Sequence, residues 1–406
     1  MKKGEITEVA EVVGRKKVAD RTINCVLEAA KKKRKVWGLN VALAVMVVAL
    51  NFNSLALAAS APNTAEWGKT VAAAKKEGRV VIMGPSGADV RDAFTEGFQK
   101  KYPGIQVDYN GMAGAQVAPK LLAELSAGVN RTDLVIAGAS TAVNSLIPAN
   151  ALVPVQPYLV GLESHDLTKW QDGKFEFSDN SEKYNLVFGS RVQVAFVYNR
   201  DMVPAGKIKS WKDFLNPEWK GKIAMLNPGR SGAGQGWVGF WYFKESQGLG
   251  KKFVRQLFTT QNISLSNDEG QLLDSVARGR HPIAIGPSGT QAFELKKKGL
   301  PIELFGSAAL QEGGVITASN GTIMVPRNIP HANAVKVYLD YLLSREGQYA
   351  WSKATGLTSR RRDVPNDHIP EVLVPKEGVK YLEDYKESFV SIRDEIGVFV
   401  NSVLPH

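Results

Sequence analysis

The chain has 406 residues, is 44% hydrophobic and 22% charged, and carries a formal net charge of +11. That profile suits a soluble globular protein long enough for two cores and argues against a disordered or fibrous chain. Residues 1–58 hold eleven Lys/Arg against five Asp/Glu, leaving only forty against thirty-five for the rest, too weak a surplus for a nucleic-acid partner, although a mildly basic body draws in anions.

The stretch "KKKRKVWGLNVALAVMVVALNFNSLALAASA" begins at Lys31. Lys31–Lys35 supplies a positive start, Val36–Leu50 is almost wholly apolar, and Ala56-Leu57-Ala58 gives the small-x-small pattern of a signal-peptidase site. The apolar run is shorter than the roughly 20 residues of a membrane span. A basic cluster is also what holds a signal's N-terminus in the cytoplasm, so the nuclear reading of "KKKRKV" is the weaker one. We expect an export signal cut near Ala58, with an uncleaved anchor as the alternative. Thirty residues, polar in overall character, precede the basic cluster, so we expect translation to start downstream of Met1, at a codon such as that of Val26. The only cysteine, Cys25, lies upstream of the apolar run, so the cleaved chain has no thiol to oxidise.

After the signal, apolar periodicity predicts a helix over 64–78, a strand over 79–83, a helix over 89–101, a strand over 105–109, a helix over 116–127 and a strand over 133–137. Such alternation implies a mainly parallel sheet covered on both faces. Asn185–Arg200, "NLVFGSRVQVAFVYNR", is too long for a typical strand and reads as a crossover between two lobes. A second alternation follows: strands over 222–225, 282–285, 302–305 and 314–325, and helices over 234–244, 251–259, 269–277, 332–343 and 346–353. A helical tail is expected from Glu377 to about Asn401. The basic runs Lys296–Lys298 and Arg360–Arg362, and His281 and His331, read as surface.

Three strand ends share Gly-x-Ser-Gly: Gly84–Gly87, Gly229–Gly232 and Gly286–Gly289. Gly138-Ala139-Ser140-Thr141 is a near match. Glycine permits a sharp turn and close approach of a ligand, serine at an N-cap offers a hydroxyl, and the first helical N–H groups carry partial positive charge. Together these suit an oxyanion. Ligands of open α/β sheets bind outside the carboxyl ends of the strands, so all four loops are expected to face one crevice. The candidate ligand shell is Ser86, Gly87, Ser140, Thr141, Ser231, Gly232, Ser288 and Gly289. Arg191 on the crossover and Arg230 in a glycine loop join it, because a guanidinium pairs with carboxylate or phosphate.

No phosphate loop, hydrolase elbow or His-x-x-x-His pair occurs. Gly234, Gly236 and Gly239 form Gly-x-Gly-x-x-Gly, but inside a predicted helix and not in a first turn. No catalytic residue, metal ligand or cofactor is assigned.

Four stretches resemble one family. "AEWGKTVAAAKKEGRVVIMG", "VQVAFVYNRDMVP", "SWKDFLNPEWKGKIAMLNP" and "HANAVKVYLDYLLSREGQ" are similar, in order and spacing, to segments of the periplasmic solute-binding proteins of ABC importers, closest to the iron(III)/thiamine/phosphonate-type branch. The resemblance, over about Trp67 to Leu357, implies an α/β, two-lobed type II periplasmic-binding-protein fold. Each lobe would be a mainly parallel sheet flanked by helices, joined to the other by crossover strands. It divides the chain into 1–58 (extension and signal), 64–190 with 290–330 (lobe 1), 191–289 (lobe 2) and 331–406 (C-terminal helices packing on the lobes). It implies a periplasmic monomer, no catalysis, capture of a small anion or ferric complex, and delivery to a membrane permease. Ferric-binding members use an adjacent Tyr-Tyr pair, which this chain lacks, so direct iron coordination is not expected. The rival expectations are an exported enzyme using a loop serine, or a sensory binding protein without a transporter.

Overall fold

The computed structural model describes residues 64–404 apart from Ser231. The signal-like stretch, its cleavage motif and Cys25 lie outside the described residues. Helix α1 (Thr64–Glu77) begins with Glu66 and ends with Lys75 and Lys76, charges that complement the two ends of its dipole. Then come β1 (Arg79–Pro85), α2 (Ala88–Lys101), β2 (Gln106–Met112), α3 (Gly114–Ser126) and β3 (Leu134–Ala137). β1 pairs in parallel with both β2 and β3. Phe94 and Phe98 are four apart on α2, so they share a face and are fully buried. β3 passes at Gly138 into the single turn α4 (Ala139–Thr141) and a π-helical turn over Ala142–Leu146.

Short strands β4 (Leu152–Val153) and β5 (Glu176–Phe177) precede the crossover. The crossover is not one strand. It divides into β6 (Leu186–Val187), β7 (Gly189–Val192) and β8 (Val194–Asn199), each in a different sheet. The breaks fall where the backbone changes partner: Phe188 N–H donates to Gly321 O, and Gln193 N–H to Val315 O.

The second half contributes β9 (Ile223–Leu226), α5 (Ala233–Phe243), α6 (Gly250–Thr260), β10 (Ser264–Ser266), α7 (Glu269–Ala277), β11 (Ile283–Ile285), α8 (Gly289–Lys297) and β12 (Ile302–Gly306). The five-stranded sheet runs β10-β9-β11-β8-β12. Phe253, Val254, Leu257 and Phe258 form one buried stripe of α6. Trp211, Trp237 and Trp241 fill the core beside it, with ring centroids 4.9 and 5.0 Å apart. Burying each such aromatic contributes about 1.5–3 kcal/mol.

The chain returns through β13 (Gly314–Thr317) and β14 (Thr322–Pro326). β14 enters the first sheet antiparallel to β3, β4 and β6. That seven-stranded sheet runs β2-β1-β3-β14-β6-β5, with β4 beside β14. Both sheets are therefore mixed rather than mainly parallel. The strands that carry the chain across, β8 and β14, enter each sheet reversed. From sequence the second lobe ends at residue 289. In the structure β12 pairs with β8, so the second sheet holds the chain to Gly306.

Helices α9 (Ala332–Leu342) and α10 (Arg345–Thr355) pack on the first core, where the Tyr338 hydroxyl donates to Phe94 O at 2.9 Å. After β15 (Thr358–Ser359), the tail is not the continuous helix predicted. It forms β16 (Tyr381–Glu383), α11 (Glu387–Val390) and α12 (Arg393–Asn401). Parallel pairing of β16 with β13 overrides local helical preference. The result is a third, four-stranded sheet, β15-β7-β13-β16, through which both crossings pass.

Two surface expectations fail. Arg361 is 4% exposed and reaches Glu163 and Asp363, each at 2.9 Å, and Leu343 O at 2.8 Å. Arg360 is also buried, 3.6 Å from Glu176. Only Arg362 of that run is exposed. His331 donates its backbone N–H to fully buried Asp133 and sets Nδ1 2.8 Å from the same carboxylate. In each case a carboxylate claims the cation or donor, because a charge leaves water only with partners. Among the described residues, no helix is long and apolar enough to cross a membrane.

Candidate ligand-binding cleft

A cavity of about 760 Å³ is lined from both large sheets, from the strands that cross between them and from the tail. The first sheet contributes Gly138–Thr141, the turn where β3 ends, together with Asn144 and Ser145. The second contributes Gly232, Ala233 and Gly236 from the start of α5, and Gly286–Gly289 leading into α8. Arg191 on β7 and Thr317 on β13 are register partners in the third sheet, and both line the cavity.

The loops meet there for packing reasons as well as polar ones. A side chain at Gly234 would put its Cβ 2.2 Å from Leu226 O, so only glycine lets α5 begin against the end of β9. A Cβ at Gly239 would lie 2.7 Å from the Phe389 ring. Gly234 and Gly239 of the Gly-x-Gly-x-x-Gly pattern are thus accounted for by packing, while Gly236 lines the cavity. Residues 289–297 form a helix whose cap, Ser288, leaves its hydroxyl unused by the cap.

Six of the ten sequence candidates come together: Ser140, Thr141, Arg191, Gly232, Ser288 and Gly289 line the cavity. Ser86 and Gly87 do not. β1 stands one strand farther from the crossing than β3, and its end is tied to β2 by the Tyr109 hydroxyl, which donates to Pro85 O at 2.7 Å. Arg230 is exposed and does not line the cavity either. Its turn is closed by Asn227, whose Oδ1 accepts from Gly229 N–H at 3.0 Å. Ser231 lies outside the described residues.

Sequence reasoning missed the tail. Arg393, which opens α12, donates from Nη1 to Ser140 Oγ at 3.1 Å, and its Nε is buried with no hydrogen-bond partner. Asp384, just after β16, is 5% exposed. Burial pushes its carboxyl up to about 6, held from rising further by Arg393 and a hydrogen bond from Thr317. Tyr385 also lines the cavity, and its hydroxyl donates to Glu383 Oε1 at 2.6 Å. On the other wall, Glu269 accepts the Ser288 N–H at 2.6 Å, and Arg191 Nη1 donates to Thr290 Oγ1 at 2.9 Å. Burial lowers the Arg191 pKa, and the Glu269 charge opposes that shift. Burial likewise raises the Glu269 carboxyl, against the Ser288 hydrogen bond and Arg191.

Guanidinium groups, hydroxyls and helix starts around one cleft can hold an oxyanion. Among the described residues there is no group of three or more His, Cys, Asp or Glu arranged to hold a metal ion.

Comparison with known proteins gives one family. A family model described as bacterial extracellular solute-binding protein matches residues 93–372. An uncharacterised protein of Haemophilus influenzae is 29% identical over 159 residues, which span 37% of this chain and 41% of that relative. Among solved structures, iron-bound HitA from Pseudomonas aeruginosa is 17% identical with a TM-score of 0.60, over 80% of this chain and 99% of its own. The Trichodesmium protein IdiA (FutA), in complex with iron and citrate, is 18% identical with a TM-score of 0.62, over 80% and 99%. AfuA from Actinobacillus pleuropneumoniae, with fructose-6-phosphate bound, is 18% identical with a TM-score of 0.58, over 80% and 97%. These likenesses establish the periplasmic-binding-protein fold expected from the sequence.

Proposed function

The chain belongs to the bacterial extracellular solute-binding proteins, and on that premise we propose that it is the periplasmic substrate-binding component of an ABC importer. It captures a small anion, free or as the anion of a ferric complex, between its two large sheets and hands it to a membrane permease. The observation that carries this reading is the set of Ser140, Thr141, Arg191, Ser288 and Arg393 around one cavity between those sheets. The sheets act as lobes that hinge on the paired crossing strands β7 and β13.

The similar solved proteins carry iron, iron with citrate, or a sugar phosphate, all compatible with a site for an anion or a chelated metal. Direct ferric coordination by phenolates is disfavoured. Tyr385 is the only tyrosine among the described residues lining the cavity, and its hydroxyl is engaged by Glu383.

A thermal-shift screen of phosphate, organic phosphates, carboxylates and ferric citrate tests the reading. A ligand at about 100 times its Kd stabilises the fold by about 2.7 kcal/mol, a shift that is easily read. Compaction in solution scattering with the same ligand, without turnover, is the expected companion result. A shift with ferric ion alone, and with none of the anions, would overturn the reading.

A further inference from the structure

The mouth of α8 is already occupied. Its cap N–H, on Ser288, donates to Glu269 Oε1 at 2.6 Å. A bare oxyanion settling there would meet a carboxylate, and like charges repel. The second oxygen, Oε2, has no hydrogen-bond partner among the described residues. Across the cavity the situation is reversed. Arg393 reaches Ser140, and its Nε is a buried donor without an acceptor. Asp384, the other carboxylate, is almost fully buried. Among the described residues, four charged side chains line the cavity: Arg191, Glu269, Asp384 and Arg393. Their charges cancel, so the cavity is no general trap for anions. It presents a guanidinium, joined to Ser140, on one wall and a carboxylate, joined to the Ser288 N–H, on the other.

From this opposition we infer that the ligand is a zwitterion, an oxyanion carrying a protonated amine, and that Glu269 selects the amine. The inference rests on the oxyanion reading of the cleft. The anionic end sits at Ser140, Thr141 and Arg393, and the ammonium donates to Glu269 Oε2. Arg191, turned to Thr290, opposes with its charge the burial that raises the Glu269 carboxyl.

The test compares matched probes by titration calorimetry: phosphoethanolamine against ethyl phosphate, and β-alanine against propanoate. In the wild-type chain at least one amine-bearing probe binds roughly tenfold or more tighter than its amine-free partner, the size of a hydrogen bond to a charged group. Glu269→Gln keeps an acceptor for the Ser288 N–H, removes the preference for the amine, and leaves the amine-free probe as tight or tighter. Equal binding of both members of each pair to the wild-type chain overturns the inference while leaving the oxyanion reading intact. Binding of none of the four probes also overturns the inference, and the thermal-shift screen then decides the oxyanion reading separately. The wild-type comparison needs no variant, so a poorly folding Glu269→Gln does not shield the inference.

Discussion

Arg393 Nη1 donates to Ser140 Oγ at 3.1 Å, across 253 residues of sequence. Arg393 opens α12, whose Ile396 and Val400 are buried in the second core. Ser140 belongs to the turn that ends β3 in the first sheet. The bond therefore spans the cleft, and under the proposed function the tail takes part in ligand capture as well as in packing.

The first prediction concerns that bond. Losing a charge-assisted hydrogen bond costs about 1.5–3 kcal/mol. Arg393→Ala should weaken the tightest anion from the screen by roughly tenfold or more. Arg230→Ala, at the exposed arginine of the glycine loop, should change affinity by less than about twofold, as ordinary surface substitutions do. Calorimetric titration of both variants decides. An equal loss from Arg230→Ala would mean that the glycine loop, not the tail, supplies the guanidinium.

The second concerns Asp384. Its carboxyl in the folded chain is pushed up to about 6 by burial, above the roughly 3.9 of an unfolded aspartate. A group raised in this way favours the fold at low pH, and that contribution is lost as pH rises from about 4 through about 6. Raising the pH from about 5 to about 7 should therefore lower the wild-type melting temperature more than that of Asp384→Asn. Parallel melting curves for the two would contradict this.

The third separates two glycines. Gly68 lies inside α1 with nothing within 4 Å of where a Cβ would stand, so Gly68→Ala should stabilise the fold by about 0.5–1 kcal/mol. Gly234→Ala would drive a Cβ into Leu226 O and should destabilise by about 1–3 kcal/mol, with weaker ligand binding because α5 must shift. Urea denaturation of each variant measures both signs.

The fourth concerns the arginine run. Arg361→Ala removes a buried cation from two part-exposed carboxylates and a carbonyl and should cost about 1.5–3 kcal/mol. Arg362→Ala, at an exposed position, should stay within about 0.5 kcal/mol of wild type. Similar denaturation midpoints for the two would show that the Arg361 pairs add nothing.

What could be read from sequence was local. The alternation of strands and helices over 64–137, and most of it over 222–353, follows from short-range apolar periodicity. Three of the four serine-bearing loops reach the cleft because a glycine turn after a strand has local causes. Position in the sheet is not local. The Gly84–Gly87 loop has the same motif as Gly286–Gly289, but β1 stands one strand away from the crossing. The tail was opaque for the same reason. Residues 377–401 carry an amphipathic pattern, and only their pairing with β13 makes Tyr381–Glu383 a strand and brings Asp384, Tyr385 and Arg393 to the cavity. The sequence marks Glu269 only as the first residue of the helix expected over 269–277, because its bond to the Ser288 N–H comes from 19 residues away.

The most direct test is a crystal structure of the mature chain grown with the tightest anion from the thermal-shift screen. The account predicts that anion in the cavity between the two large sheets, its oxygens within hydrogen-bond distance of Ser140 and Arg393. An anion bound instead at Ser86 or Arg230, with that cavity left to solvent, would contradict it.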